Sequence, residues 1–140
     1  MYLLIRECSF YTENNIVLGC FTSMELALSS KQLYISQIQE NGDPHSKQAY
    51  VNVCLNNDVE AILLDYPIEP CKTVYLLYEH SEGFGQVFRD LKHASSSLEE
   101  IIKIAKTMSI DALGFPTHLV YTELVVNSLR LENDDHQLSF

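Results

Sequence analysis

Tyr2-Leu3-Leu4 returns further along the chain as Tyr75-Leu76-Leu77, and Thr22-Ser23-Met24-Glu25 returns as Ser96-Ser97-Leu98-Glu99. Tyr2 and Tyr75 lie 73 residues apart and Ser23 and Ser97 lie 74 apart, so a single inserted residue separates the two matches. An offset that changes by one residue between two unlike motifs is the signature of a chain written twice. The expected copies span about 1–65 and 74–132, with a connector over 66–73 carrying Pro67 and Pro70, and a short acidic tail over 133–140.

Each copy opens on an apolar, aromatic-rich run suited to a strand, Tyr2–Glu7 and Val74–Glu79. A polar loop follows, Cys8–Asn15 or His80–Gln86, and then a second run, Ile16–Phe21 or Val87–His93, reads as its hairpin partner. Thr22 and Ser96 are placed to cap a helix, with Glu25 and Glu99 three residues on to complete a capping box, each cap contributing about 1 kcal/mol. Met24, Ala27, Leu28, Tyr34, Ile35 and Ile38 form the expected apolar stripe of the first helix, and Leu98, Ile101, Ile102, Ala105 and Met108 that of the second. Gly42 with Pro44, and Gly114 with Pro116, stop the two helices. Ala49–Leu55 turning into Val59–Leu64 is matched with His118–Val126 turning into Leu129–Glu132.

The expected fold is α+β: one domain of two tandem β-β-α-β(-β) repeats about a pseudo-two-fold, with a mostly antiparallel sheet and both main helices packed on one face. At 140 residues and 46% apolar composition the chain is large enough to bury a core without metal or disulfide staples. Cys8, Cys20, Cys54 and Cys71 lack metal-ligand spacing and read as buried, reduced thiols. No apolar run reaches the ~20 residues that span a bilayer, and Met1–Glu7 does not resemble a signal peptide, so the expected location is the cytoplasm.

Residues 1–72 hold 4 basic and 9 acidic side chains and residues 73–140 hold 5 and 10, so each part carries −5 of the total −10. That balance argues against nucleic acid, whose binding requires many Lys and Arg on phosphates. No phosphate loop, nucleophile elbow or zinc-protease motif is present, and the expectation is a non-enzyme without cofactor or metal. Glu79-His80 at a strand end has acid–base potential, but the first copy places Arg6-Glu7-Cys8 there, so no paired site is implied. His118 and Glu123 stand five apart and so on opposite faces of a regular strand.

The leading functional expectation is a small acidic protein that neutralises a basic protein partner, most concretely an immunity protein against a nuclease-type bacterial toxin or a phage inhibitor of host defence, acting as monomer or homodimer. Its candidate contacts are Glu7, Phe10, Tyr11, Glu13, Glu79, Glu82 and Asp90, grouped near the two hairpin ends. The alternatives are a small-molecule-binding regulatory module using the groove between the repeats, and a structural subunit of a phage or secretion assembly.

Overall fold

The structure, a computed structural model, describes residues 1–7, 15–41, 58–83, 86–108, 117–130 and 135–139. Its elements run β1 (Tyr2–Glu7), β2 (Asn15–Phe21), α1 (Met24–Asn41), β3 (Val59–Leu63), β4 (Thr73–Gly83), β5 (Gln86–Ser95), α2 (Leu98–Thr107), β6 (Thr117–Val125) and β7 (Asp135–Gln137). The fold is α+β, with two antiparallel sheets of order β2-β1-β3 and β5-β4-β6-β7. No helix among the described residues is long and apolar enough to cross a membrane.

Strand alternation explains the layering. Leu3, Val17 and Cys20 of the first sheet share one cluster with Val74, Leu76, Tyr78, Ala94, Val120 and Leu124 of the second, so the two sheets meet face to face. The next residues along, Leu4, Ile16, Leu18 and Phe21, turn the other way and pack on Ala27, Tyr34 and Ile38 of α1. Leu77 and Leu119 likewise turn outward onto Ile101 and Ala105 of α2. The two helices therefore cover opposite outer faces, and the expectation of both on one face is corrected. The reason is legible in Leu3-Leu4 and Ile16-Val17-Leu18: unbroken apolar runs belong to strands buried on both faces, and each sheet needs a cover on both sides.

The hairpins share an irregularity. In β1–β2 the register shifts between Leu4 and Ile5, leaving Leu18 unpaired; in β4–β5 it shifts between Leu77 and Tyr78, leaving Lys92 unpaired. The first strand of each hairpin is central in its sheet, flanked by its hairpin partner and by the strand that follows the helix. Pairing gives Thr117–Val125 the place that Val59–Leu63 occupies in the other sheet, not the place of Ala49–Leu55, which lies outside the described residues. Leu129 and Arg130 form no strand, contrary to expectation.

Both helix caps sit one residue later than expected. The Ser23 hydroxyl accepts from Leu26 N–H at 3.2 Å, and the Ser97 hydroxyl from Glu100 N–H at 3.3 Å. Thr22 instead donates its N–H and its hydroxyl to the Asn127 side-chain oxygen, at 2.9 and 3.2 Å. The α1 stripe also differs: Met24 and Leu28 are 40% and 46% exposed, while Ala27, Tyr34 and Ile38 are buried. This phase packs Ala27, Tyr34 and Ile38 on Leu4, Ile16, Leu18 and Phe21, and it brings the Tyr34 hydroxyl to Arg6, buried in β1, which donates to it from Nη1 at 2.9 Å. Leu26, Leu28 and Leu33 lie outside this face and are exposed.

After β6 the chain crosses to the other sheet. Asn127, in left-handed conformation at φ 62°, donates its N–H to Cys20 O at 2.8 Å, and Arg130 donates its N–H to Leu18 O at 2.6 Å. Asn tolerates that conformation, as the turn reading anticipates. Residues 127–130 thus run along the outer edge of β2, with Leu129 packed into the α1 core. Gly19 is required beneath them. A Cβ there would stand 2.8 Å from the Phe21 ring and 2.8 Å from the Ser128 carbonyl oxygen.

Candidate functional site

Chemistry-bearing side chains gather on the far half of the second sheet, where β4 and β5 continue beyond the register shift. Its outer and inner faces differ in charge.

On the outer face Glu79 and Asp90 stand directly opposite one another on β4 and β5. Two carboxylates at paired positions repel. The unpaired Lys92 offsets this, with its ammonium 2.6 Å from Asp90 and 3.4 Å from Glu79. The Asp90 hydrogen bond is the largest of the effects that raise the Lys92 pKa above its ordinary value. Lys92 supplies one positive charge against two negative ones, and the Asp90 side chain remains 70% exposed.

The inner face carries one arginine and two imidazoles. Arg89, His80 and His118 form one row across β5, β4 and β6, by the pairs Arg89↔His80 and His80↔His118. They share the face of Tyr78, two residues back along β4, which packs between the sheets. The two imidazole centroids are 4.9 Å apart. Beside this row Arg89 meets the Asp135 carboxylate, although Arg89 is on the outermost strand at one edge and Asp135 on the outermost at the other. Three strand spacings in a flat sheet would be about 14 Å, beyond the joint reach of these side chains. The sheet is therefore curled until its edges meet over Tyr78. Thr122 donates to Asp135 Oδ1 at 2.6 Å, and Arg130, arriving on the segment along β2, stands 3.7 Å from the same oxygen, too far for a hydrogen bond.

This cluster is incompletely balanced. Arg89, Asp135 and Arg130 are 13%, 15% and 14% exposed, and two guanidiniums share one carboxylate. Arg89 Nε and Arg130 Nη2 are buried without a hydrogen-bond partner. Each unsatisfied donor costs about 1–3 kcal/mol, so the cluster is a poor way to stabilise a fold. Burial pushes the Tyr78 hydroxyl well above its ordinary pKa, and the Arg89 charge only partly opposes this.

At the start of α2, Glu100 accepts from the Ser95 hydroxyl, and the same Ser95 oxygen accepts from Ser97 N–H at 3.0 Å. His93 Nε2 lies 3.4 Å from the other Glu100 oxygen. The Ser95 hydrogen bond, then His93, holds the Glu100 carboxyl below its ordinary value. Ser97 thus does the work assigned in the sequence to Ser96, and Glu100, acting through the Ser95 hydroxyl, the work assigned to Glu99. The arrangement is a capping relay.

Comparison of the chain with protein-family models, with curated proteins and with solved structures found no match. Of the residues singled out in the sequence, Glu79 and Asp90 are brought together. Glu82 falls on β4 and Glu7 ends β1, while Phe10, Tyr11 and Glu13 lie outside the described residues. His118 and Glu123 do stand on opposite faces of the regular strand β6. No group of three or more His, Cys, Asp or Glu side chains suited to a metal ion occurs among the described residues. The Arg89–Asp135–Arg130 cluster escaped the sequence reading. Its one available signal was that two of the chain's three arginines, in a protein that otherwise uses lysine, fall at a strand and just past a turn.

Proposed function

We propose that this chain is a recognition protein that engages a basic protein partner and neutralises it, an immunity protein against a nuclease-type toxin being the most concrete form. One observation carries the reading: Glu79 and Asp90 are held opposite one another on an outer strand face with a single lysine between them, leaving net negative charge on the far half of a long hairpin. Strand pairing holds these carboxylates in place, so binding incurs little ordering entropy. An acidic patch on a chain of net charge −10 speeds encounter with a cationic cleft and selects against acidic partners.

The same reading includes an internal duplication about a pseudo-two-fold axis. It is supported by the matching strand orders, by register shifts 73 residues apart at Leu4 and Leu77, and by caps 74 residues apart at Ser23 and Ser97. A duplicated sheet pair would present two hairpins to one partner.

The experiment is a binding measurement between the full chain and the basic nuclease domain encoded beside it, at 50 and 500 mM salt. Glu79→Lys and Asp90→Lys together are expected to slow association at least tenfold at low salt, with the gap closing at high salt. Binding indifferent to both the substitutions and the salt would reject this face. The alternative, a small-molecule module, is favoured by a separate feature, the arginine cluster between the sheets.

A further inference from the structure

We infer that Arg89 and Arg130 form an oxyanion-binding site, built for a phosphate or the phosphoryl end of a small metabolite, in the seam between the curled second sheet and the segment that crosses to β2. The inference is independent of the acidic outer face and stands if that reading fails.

Three observations converge on it. The cluster holds two permanent positive charges against one carboxylate, because Arg side chains stay protonated in proteins. A mostly buried charge left uncompensated is unfavourable unless something completes its pairing. The donors are also unfilled: Arg89 Nε and Arg130 Nη2 have no hydrogen-bond partner, and Arg130 stands 3.7 Å from Asp135 rather than within bonding distance. Finally, His80 and His118 lie in the row that begins at Arg89, so imidazole rings flank the guanidinium. In a chain of net charge −10, two arginines converging on one carboxylate stand against the overall balance.

The chemistry selects the ligand. A guanidinium presents planar, forked N–H donors that match the oxygens of phosphate, and two such forks from different elements can hold one tetrahedral anion at separate oxygens. Asp135 neutralises one arginine and, with Thr122 donating to its Oδ1, is itself fixed in place. It orients Arg89 while leaving the second charge for the ligand. The side chains are 13–15% exposed and the two unfilled nitrogens are themselves buried, so an anion reaches them only as the guanidiniums part, which limits the ligand to a small anion or a terminal group and excludes a folded partner. Arg130 reaches the site on a segment anchored to Leu18 and Cys20 of the first sheet, so an anion bound there would tie the two sheets together.

The test uses the full chain, titrated with sodium phosphate and, separately, with glycerol 2-phosphate, each against sodium chloride at matched ionic strength. The readouts are the thermal midpoint and the arginine Nε–H resonances in proton–nitrogen spectra. Either phosphate compound is expected to raise the midpoint by several degrees beyond chloride, because a ligand of the native state stabilises it as its concentration exceeds Kd. The Arg89 Nε–H signal should move saturably in the same range. Arg130→Gln should weaken phosphate binding at least tenfold, and Lys103→Gln on the exposed side of α2 should leave it unchanged. Tenfold tighter binding of the phosphomonoester would identify a phosphorylated metabolite as the natural source, and the reverse would identify free phosphate. No saturable change beyond chloride in the unmodified protein overturns the inference, as does an Arg130→Gln protein that titrates like the parent. Should Arg130→Gln not fold, Arg130→Lys and the unmodified protein's Nε–H titration decide the matter.

Discussion

Substituting Gly19 by Ala tests how the segment after β6 is seated on β2. The added methyl would lie 2.8 Å from two carbons of the buried Phe21 ring and 2.8 Å from the Ser128 carbonyl oxygen. The carbonyl cannot swing aside cheaply, because Asn127 and Arg130 on either side of it are hydrogen-bonded to Cys20 and Leu18. The steric cost belongs at the upper end of the overpacking range, about 3 kcal/mol. Alanine also narrows the unfolded ensemble, which returns roughly 0.4–1 kcal/mol, for a net loss of about 2 kcal/mol. With an unfolding entropy of ~2.1 cal/mol/K per residue, the expected fall in Tm is about 7 °C. Urea unfolding should show the same loss through its midpoint with the slope unchanged. Phe21→Leu, with no ring, should reduce the penalty without abolishing it, since the Ser128 oxygen remains. A Gly19→Ala protein within about 0.5 kcal/mol of the parent would refute the close passage of residues 127–130 over β2.

Ile101→Ala should cost about 2–5 kcal/mol, as expected for a fully buried side chain under α2, whereas Met24→Ala and Leu28→Ala should each stay within about 0.5 kcal/mol; chemical denaturation of the three proteins checks the helix phases. Ser23→Ala and Ser97→Ala should each lose roughly 1 kcal/mol, measured in the same way, while Ser96→Ala should lose little. Because Glu100 titrates below its ordinary value, its contribution is complete above pH 4.5 and disappears as pH falls through the lower folded value. Glu100→Gln should therefore lower Tm at pH 6 and converge on the parent in acid, and a constant gap at all pH values would contradict the Ser95 and His93 contacts. Burial pushes the Cys20 thiol up to about 11. At pH 8 iodoacetamide should therefore leave Cys20 unmodified while alkylating the partly exposed Cys71, and mass spectrometry of the peptides would expose the opposite order.

The hairpins, helices and antiparallel class were legible in the sequence because they depend on neighbours along the chain. Tyr2–Glu7 and Val74–Glu79 carry strand-forming residues, the helix starts were legible to within one residue of the Ser23 and Ser97 caps, and Asn127 suits the left-handed turn it occupies. The acidic pair was half legible. Glu79 and Asp90 could be named as candidates, but their juxtaposition, and the placing of Lys92 between them, required the register shift at Leu77. What depended on distant contacts was decided by the tertiary structure alone. The rotation of α1 matches its packing on Leu4, Ile16, Leu18 and Phe21 and the buried hydrogen bond between Arg6 and Tyr34, partners 28 residues apart in the chain. The helices lie on opposite outer faces because each sheet is apolar on both sides and the two sheets cover one another's inner face. The arginine cluster arises where curling brings β5 and β7 together and residues 127–130 cross to β2. No local pattern encodes that meeting, because long-range strand pairing and sheet curvature set which remote side chains share a space.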